Sequence, residues 1–188
     1  MKTLFLENKL PYDGQQLHSL HAYLNHHILG DSAVAWIGPC SIPFEHMVDG
    51  EDLLAEATIA GDEMLHFIIE CFHTPLFAGV TLQRLFAAIC LDLLRELVGP
   101  ENGARLRRSG DDIYFGENKF SISIATLSPV SALIHFAMNC TNVGTPVATA
   151  AFSDFKLDPA GFAKEALRRL AAEVETIVEA TMKVRPVS

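Results

Sequence analysis

Apolar and polar positions along this chain repeat with two periods. Leu17, Leu20, Leu24 and Ile28 recur at the spacing of one helix face, and Asp13-Gly14 before them and Gly30 after them bound a helix over 13–29. The clearest helix runs from Thr81 to Val98, capped by Thr81 and closed by Gly99-Pro100. Asp158-Pro159 opens a last helix that reaches about Met182, and Asp49 starts a short one over 48–58. Other stretches are apolar without a helical period and are bounded by turn residues. Residues 2–7, 32–38 and 64–72 read as strands of this kind, and Pro39 to Pro43 as a loop whose two prolines resist regular structure. Four short strands follow near 105–108, 111–115, 119–126 and 132–141, with a further one over 150–156. The predicted fold class is α+β, a mixed, mostly antiparallel sheet flanked by helices in a single domain over residues 1–188.

The segment from Asp111 to Ser121 carries the most chemistry. Aromatic and β-branched residues flank a Gly116-Glu117-Asn118 turn, a hairpin signature, and Lys119 opens the returning strand. Strand alternation places Lys119, Ser121, Ser123 and Ala125 on one face, predicted to be the chemically equipped one. Phe120, Ile122 and Ile124 then form the core face. A hairpin lysine is most often an exposed surface charge, so the residue types alone leave its role open.

The same hairpin resembles the part of biotin protein ligases that reads Asn-Asp-Ile-Tyr-Val, a short turn and then lysine. The match needs no gap and sets Asp112 and Lys119 on that family's aspartate and catalytic lysine. Ile134-His135-Phe136-Ala137-Met138-Asn139 resembles the next core strand of the ligases, which ends in an asparagine. Over nearly the whole chain the nearer likeness is to the uncharacterised domain-of-unknown-function family 366. It is carried by GDS (30–32), GPC (38–40), HMVD (46–49), MLHFIIE (64–70), QRL (83–85), RRSGDDIY (107–114), SPVSALIHF (128–136) and GTPV (144–147). The resemblance implies a fold like that of the biotin/lipoate ligases and class II aminoacyl-tRNA synthetases. It also implies a role for Lys119 as an electrostatic partner of a substrate carboxylate and phosphate. Two departures weigh against biotin or lipoate ligation itself. Ile122 stands where the ligases bear a glycine three residues after the lysine, and their glycine-arginine-rich loop has no counterpart around Gly38-Pro39-Cys40 and His46 to Asp49.

Further residues could serve a ligand. Arg107 and Arg108 precede the aspartate pair, and alternation lets only one of them face a shared pocket; either could instead fork onto a carboxylate or remain solvated. His46 and Asp49 are spaced to pair as acid and orienting carboxylate in a proline-bounded loop. His66 and His135 interrupt apolar strands, where a core histidine bonded to backbone is the commoner arrangement, and Glu70 shares the face of His66. Gln83 and Arg84 stand at the head of the long helix, where an anion is favoured.

Charge and cysteine content narrow the functional classes. With 14 basic and 23 acidic residues the formal charge is −9, which argues against nucleic-acid and anionic-membrane partners. No uninterrupted apolar run reaches the ~18–20 residues of a membrane span, and the first residues lack the form of a leader, so a cytoplasmic protein is expected. The four cysteines are widely spaced and form no Cys-x-x-Cys pair, and His18 and His21 lack a third ligand at helical spacing, so no metal site is expected. Both GxxxxGK[ST] and GxGxxG are absent, which leaves the use of ATP and Mg²⁺ open. Three readings remain: an adenylating or acyl-transfer enzyme acting on a small carboxylate, with Lys119 and Asp112 as its catalytic pair; a noncatalytic ligand-binding module; and a structural homodimer joined through strands 64–72 and 132–141. The ligand contacts expected in the first two come from Arg107, Arg108, Ser121, Ser123, His135, Asn139, His46, Asp49, His66, Gln83 and Arg84.

Overall fold

The computed structural model describes residues 1–187. Two sheets and four helices alternate as β1 (Lys2–Phe5), α1 (His21–His26), β2 (Ser32–Ile42), α2 (Gly50–Leu54), β3 (Ile59–Phe72), α3 (Leu76–Gly103), β4 (Leu106–Ser109), β5 (Asp112–Phe115), β6 (Asn118–Lys119), β7 (Ser121–Leu127), β8 (Ser131–Asn139) and α4 (Pro159–Met182). The main sheet has the order β1-β2-β3-β8-β7; β1 runs parallel to β2 and every other pair is antiparallel. Strands β4, β5 and β6 form a second, small meander. The α+β class and the mostly antiparallel sheet are as the sequence predicts.

Alternation along β2, β3 and β8 divides the interior into two cores. Ala33, Ala35, Leu65, Phe67, Ile69, Ile134, Phe136 and Met138 face α3 and α4, where they meet Phe86, Cys90, Leu94, Phe162 and Leu167. Val34, Trp36, Met64, Ile68 and Ala137 face the other way, under Tyr12, Ala22 and Leu17. Helix α3 includes an 18-residue window of mean hydropathy 1.6, long and apolar enough to cross a membrane by composition, although no uninterrupted apolar run marks it; 39% of that window is buried in this fold. All four cysteines are buried and free.

Several elements differ from their predicted bounds. The first helix shrinks to α1, because the Leu20 N–H is taken by the Glu70 carboxylate rather than by a helix carbonyl, and Leu20 and His27 sit at φ 65 and 58. Strand β2 continues through Pro39 to Ile42. The proline falls where the register with β3 shifts between Gly38 and Cys40, so the ladder needs no donor from it. Strand β3 begins at Ile59. Helix α3 starts after Pro75, and Gly99 (φ 78) breaks its helical path before Pro100. Residues 152–155 form a 3-10 turn instead of a strand. Asp49 and Asp158 cap α2 and α4 as expected, each accepting two backbone N–H groups.

The returning strand of the hairpin is interrupted at Phe120. Lys119 belongs to the small sheet and Ser121 onward to the main one. Past that break the predicted faces exchange. Ser121, Ser123 and Ala125 pair with Met138, Phe136 and Ile134 on the helix side, and Ile122 and Ile124 pair with Ala137 and His135 on the other. The predicted dimer route through 64–72 and 132–141 is also closed, since β3 and β8 are hydrogen-bonded on both sides; the open edges of the main sheet are β1 and β7.

Candidate functional site

A cavity of about 430 Å³ lies over the face of the sheet away from α3 and α4. Its floor is Tyr12, Met64, Ile122, Ile124, His135 and Asn139; its walls come from α2 and the residues around it, from Thr145 to Thr149, from Asp111 in the turn before β5, and from Asp112 and Lys119 of the small sheet. The exchange of faces at Phe120 is what brings the isoleucines to this floor.

Lys119 is the cation of the site. Its Nζ lies 2.8 Å from Asp112 Oδ2, with the lysine side chain 33% and the aspartate 22% exposed. Burial works to lower the lysine, and the hydrogen bond and charge of Asp112 outweigh it, so the ammonium is held above its ordinary value. Burial likewise pushes the Asp112 carboxyl up, with Lys119 pulling the other way. Across the cavity burial and Asp49 raise the Asp52 carboxyl while Lys119 lowers it. The hairpin is fixed from behind: Asn139 Nδ2 donates to the carbonyls of Lys119 (3.1 Å) and Ala150 (3.2 Å), and Gln83 Nε2 donates to Asp111 Oδ2 and Ser123 Oγ, both at 2.9 Å.

On the floor His66 and His135 form a buried pair. His66 Nε2 meets the Gly38 carbonyl at 3.2 Å and His66 Nδ1 meets His135 Nε2 at 3.1 Å. The Tyr12 ring lies flat on His135, with centroids 3.7 Å apart and planes at 13°. Burial holds the His66 imidazole down at about 4, and burial with the neighbouring His66 lowers His135 well below its ordinary value. Both rings are therefore neutral at pH 7.

The structure brings together Lys119, Asp112, Ser123, His135, Asn139, His46 and Asp49 around one cavity. Their local roles differ from some expectations. His46 does not pair with Asp49: its Nδ1 contacts the Asp13 carbonyl at 2.9 Å, while Asp49 is occupied in capping. His66 is completely buried beneath His135, and Ser121 is buried with its Oγ accepting the Ile113 N–H. Gln83 is also buried behind the wall and supports it.

Arg107, Arg108 and Arg84, expected as ligand contacts, lie away from the cavity. Arg107 lies exposed over the Tyr114 ring and bonds to Gly116 O and Glu117, Arg108 turns to the Gly110 carbonyl, and Arg84 is exposed at the outer side of α3. None of the three lines the cavity. Strand alternation separates the faces of Arg107 and Arg108, but the small meander reaches the cavity through Asp112 and Lys119 and not through its first strand. The sequence reading also missed Tyr12, Asp52 and Thr149 as lining residues. They come from segments far apart in the chain and carry no local motif.

Comparison with solved structures places the fold. A protein of unknown function from Pyrococcus horikoshi superposes with a TM-score of 0.93 at 38% identity, covering 100% of this chain and 99% of that one. The T. acidophilum protein assigned as a lipoate protein ligase, with bound lipoic acid, gives 0.58 at 17% identity, covering 92% and 85%. Biotin protein ligase from Aquifex aeolicus in complex with biotin and ATP gives 0.60 at 12% identity, covering 95% and 72%. At those low identities the two likenesses establish a biotin/lipoate-ligase-like fold. An uncharacterised protein of Methanocaldococcus jannaschii is 30% identical over 149 residues, a match spanning 77% of this chain and 65% of that relative. The family model of the domain of unknown function DUF366 matches residues 1–185, and the chain belongs to that family.

Proposed function

We propose that the cavity is a small-molecule site whose ligand is an acid, with the ligand carboxylate meeting the Lys119 ammonium. The observation that carries this reading is that Lys119 is the one lysine or arginine lining the cavity among the described residues, and is part-buried there. Desolvation makes such an ammonium a stronger counter-charge than a surface lysine. Asp49, Glu51, Asp52, Asp111 and Asp112 share the lining, so the cavity suits a ligand with a single negative group.

The same lining offers a triphosphate little counter-charge of its own, since Arg84, Arg107 and Arg108 lie elsewhere. A triphosphate would meet the acidic wall with one ammonium to offset it. A ligand-binding module on a ligase-like scaffold is the reading this geometry favours. Adenylation or acyl transfer is the second reading, favoured by the place of Lys119 and Asp112 on the hairpin.

Thermal shift with octanoate, lipoate, biotin, AMP and ATP-Mg²⁺, on the native chain and on Lys119→Ala, tests both. A carboxylate present at 100 times its dissociation constant contributes ~2.7 kcal/mol and raises the melting temperature of the native chain only. Equal shifts in Lys119→Ala overturn the assignment of the lysine. Stabilisation by ATP-Mg²⁺, followed by pyrophosphate release with an acid, replaces this reading with the adenylating one.

A further inference from the structure

His135 is only 2% exposed, yet it lines the cavity, and the protonation of its ring nitrogens follows from its neighbours. A carbonyl only accepts, so the His66 Nε2 that meets Gly38 O carries the proton. His66 is neutral, hence its Nδ1 is bare and can only accept. His135 Nε2, 3.1 Å away, must then donate to it. Since His135 is neutral as well, its own proton is spent on that bond and its Nδ1 is a bare lone pair. The flipped ring would present a C–H to His66 and lose the bond.

That lone pair has no hydrogen-bond partner among the described residues, and it is not sealed from the cavity, because no buried polar side-chain atom is left unpartnered there. Tyr12 stacked on the ring and His66 behind it prevent the imidazole from turning away. A carboxylate, carbonyl or ether oxygen placed against Nδ1 would set lone pair against lone pair. An N–H or O–H group would complete it.

We propose that His135 Nδ1 is a ligand-recognition atom that selects an uncharged hydrogen-bond donor, an amide N–H or a hydroxyl, on the part of the ligand lying over the floor. His66 is the positioning residue, holding His135 in the accepting tautomer through the Gly38 carbonyl. The assignment rests on the cavity being the ligand site and gives its ligand a second requirement: one acidic group for Lys119 and one neutral donor for His135.

The test is long-range ¹H–¹⁵N correlation of the histidine rings at pH 7, with His135 assigned from His135→Asn or, should that variant not fold, by through-bond correlation from the backbone. The expected free-protein spectrum shows His135 with Nε2 protonated and Nδ1 not. His66→Phe removes the acceptor and is expected to mix the two tautomers, which loss of packing alone would not do. Valeramide is then compared with N,N-dimethylvaleramide, its capped form. Valeramide is expected to move the His135 Nδ1 resonance and to bind on the order of 5-fold more tightly, the worth of one modest hydrogen bond. A protonated Nδ1 in the native chain, equal responses to the two amides, or a response to neither overturns the assignment. The amides carry no charge, so failure of the acids with an intact amide response removes the role of Lys119 alone. Acid binding with no preference for the donor removes the role of His135 alone.

Discussion

Glu70 holds Leu20 by its backbone: both carboxylate oxygens of the glutamate accept the Leu20 N–H, at 2.9 and 3.0 Å, and Ser131 Oγ donates to Oε1 at 2.7 Å. Glu70 is 2% exposed and forms no ion pair among the described residues. The contact sets where α1 begins and pins the segment that covers Trp36. In Glu70→Gln one side of the group becomes a donor facing donors, so the variant is expected to lose about 2 kcal/mol, the scale of hydrogen bonds to a charged group. Urea unfolding measures the loss, and faster amide exchange at Leu20 would locate it. An unchanged urea midpoint would refute the anchoring role.

Gly38 is required by a close approach rather than by its φ. A Cβ at this position would lie 1.8 Å from the Leu10 carbonyl oxygen, because residues 10–12 run directly over β2 and Trp36 Nε1 donates to that same oxygen. Gly38→Ala must displace backbone and is expected to cost about 3 kcal/mol. Gly50→Ala is the control: nothing lies within 4 Å of its Cβ and it sits in the first turn of α2, so the change should be neutral or stabilising by up to ~1 kcal/mol. Equal denaturation midpoints for the two variants would contradict the account.

Much of the fold was legible because it depends on local pattern. Apolar runs bounded by turn residues mark β3 and β8, and the two-residue period of a strand sets Glu70 on the face of His66. Asp49 and Asp158 announce their helices. The failures arise where a distant residue overrides the local signal. Leucines at helical spacing predict a helix over 13–29, but Glu70, fifty residues on, takes the N–H at Leu20. Pro39 reads as a loop, yet a strand tolerates it at a bulge. The break at Phe120, where Lys119 turns to Ala148 and Ala150 while Phe120 enters the core, leaves no mark in a run of alternating residues. It reverses every face assignment after it. That the hairpin brings a lysine and an aspartate together was readable; the cavity wall formed by α2 and by residues 145–149 was not, since its proximity is tertiary.

Acid should weaken this fold before its carboxylates protonate. Burial holds His66 at about 4, and burial with His18 and His26 holds His21 at about 4, both down from 6.5. A folded-state value depressed in this way gives stability that is present above pH 6.5 and is lost as pH falls towards 4, because the unfolded chain takes up the proton first. Each full shift corresponds to roughly 3 kcal/mol. Urea midpoints at pH 7.5, 6 and 4.5 are expected to fall in that order, with the slope reduced in His66→Phe. A flat profile across this range would show that the pair opens or hydrates without cost.

The ion pair of Lys119 with Asp112 gives opposite predictions for its two members. Asp112 accepts from the ammonium that a ligand acid would need, and its charge repels that acid. Two like charges ~5 Å apart at an effective dielectric of 20 repel by ~3 kcal/mol, against ~1 kcal/mol for the positioning that one hydrogen bond provides. Repulsion is the larger effect. Asp112→Asn should therefore bind octanoate about tenfold more tightly by titration calorimetry, a conservative share of that repulsion, whereas Lys119→Ala should abolish the heat. The affinity of the native chain should fall with added salt only weakly, because the pair is part-buried. Weaker binding by Asp112→Asn would mean that the aspartate chiefly orients the lysine, the arrangement expected of a catalytic pair, and would revive the acyl-transfer reading.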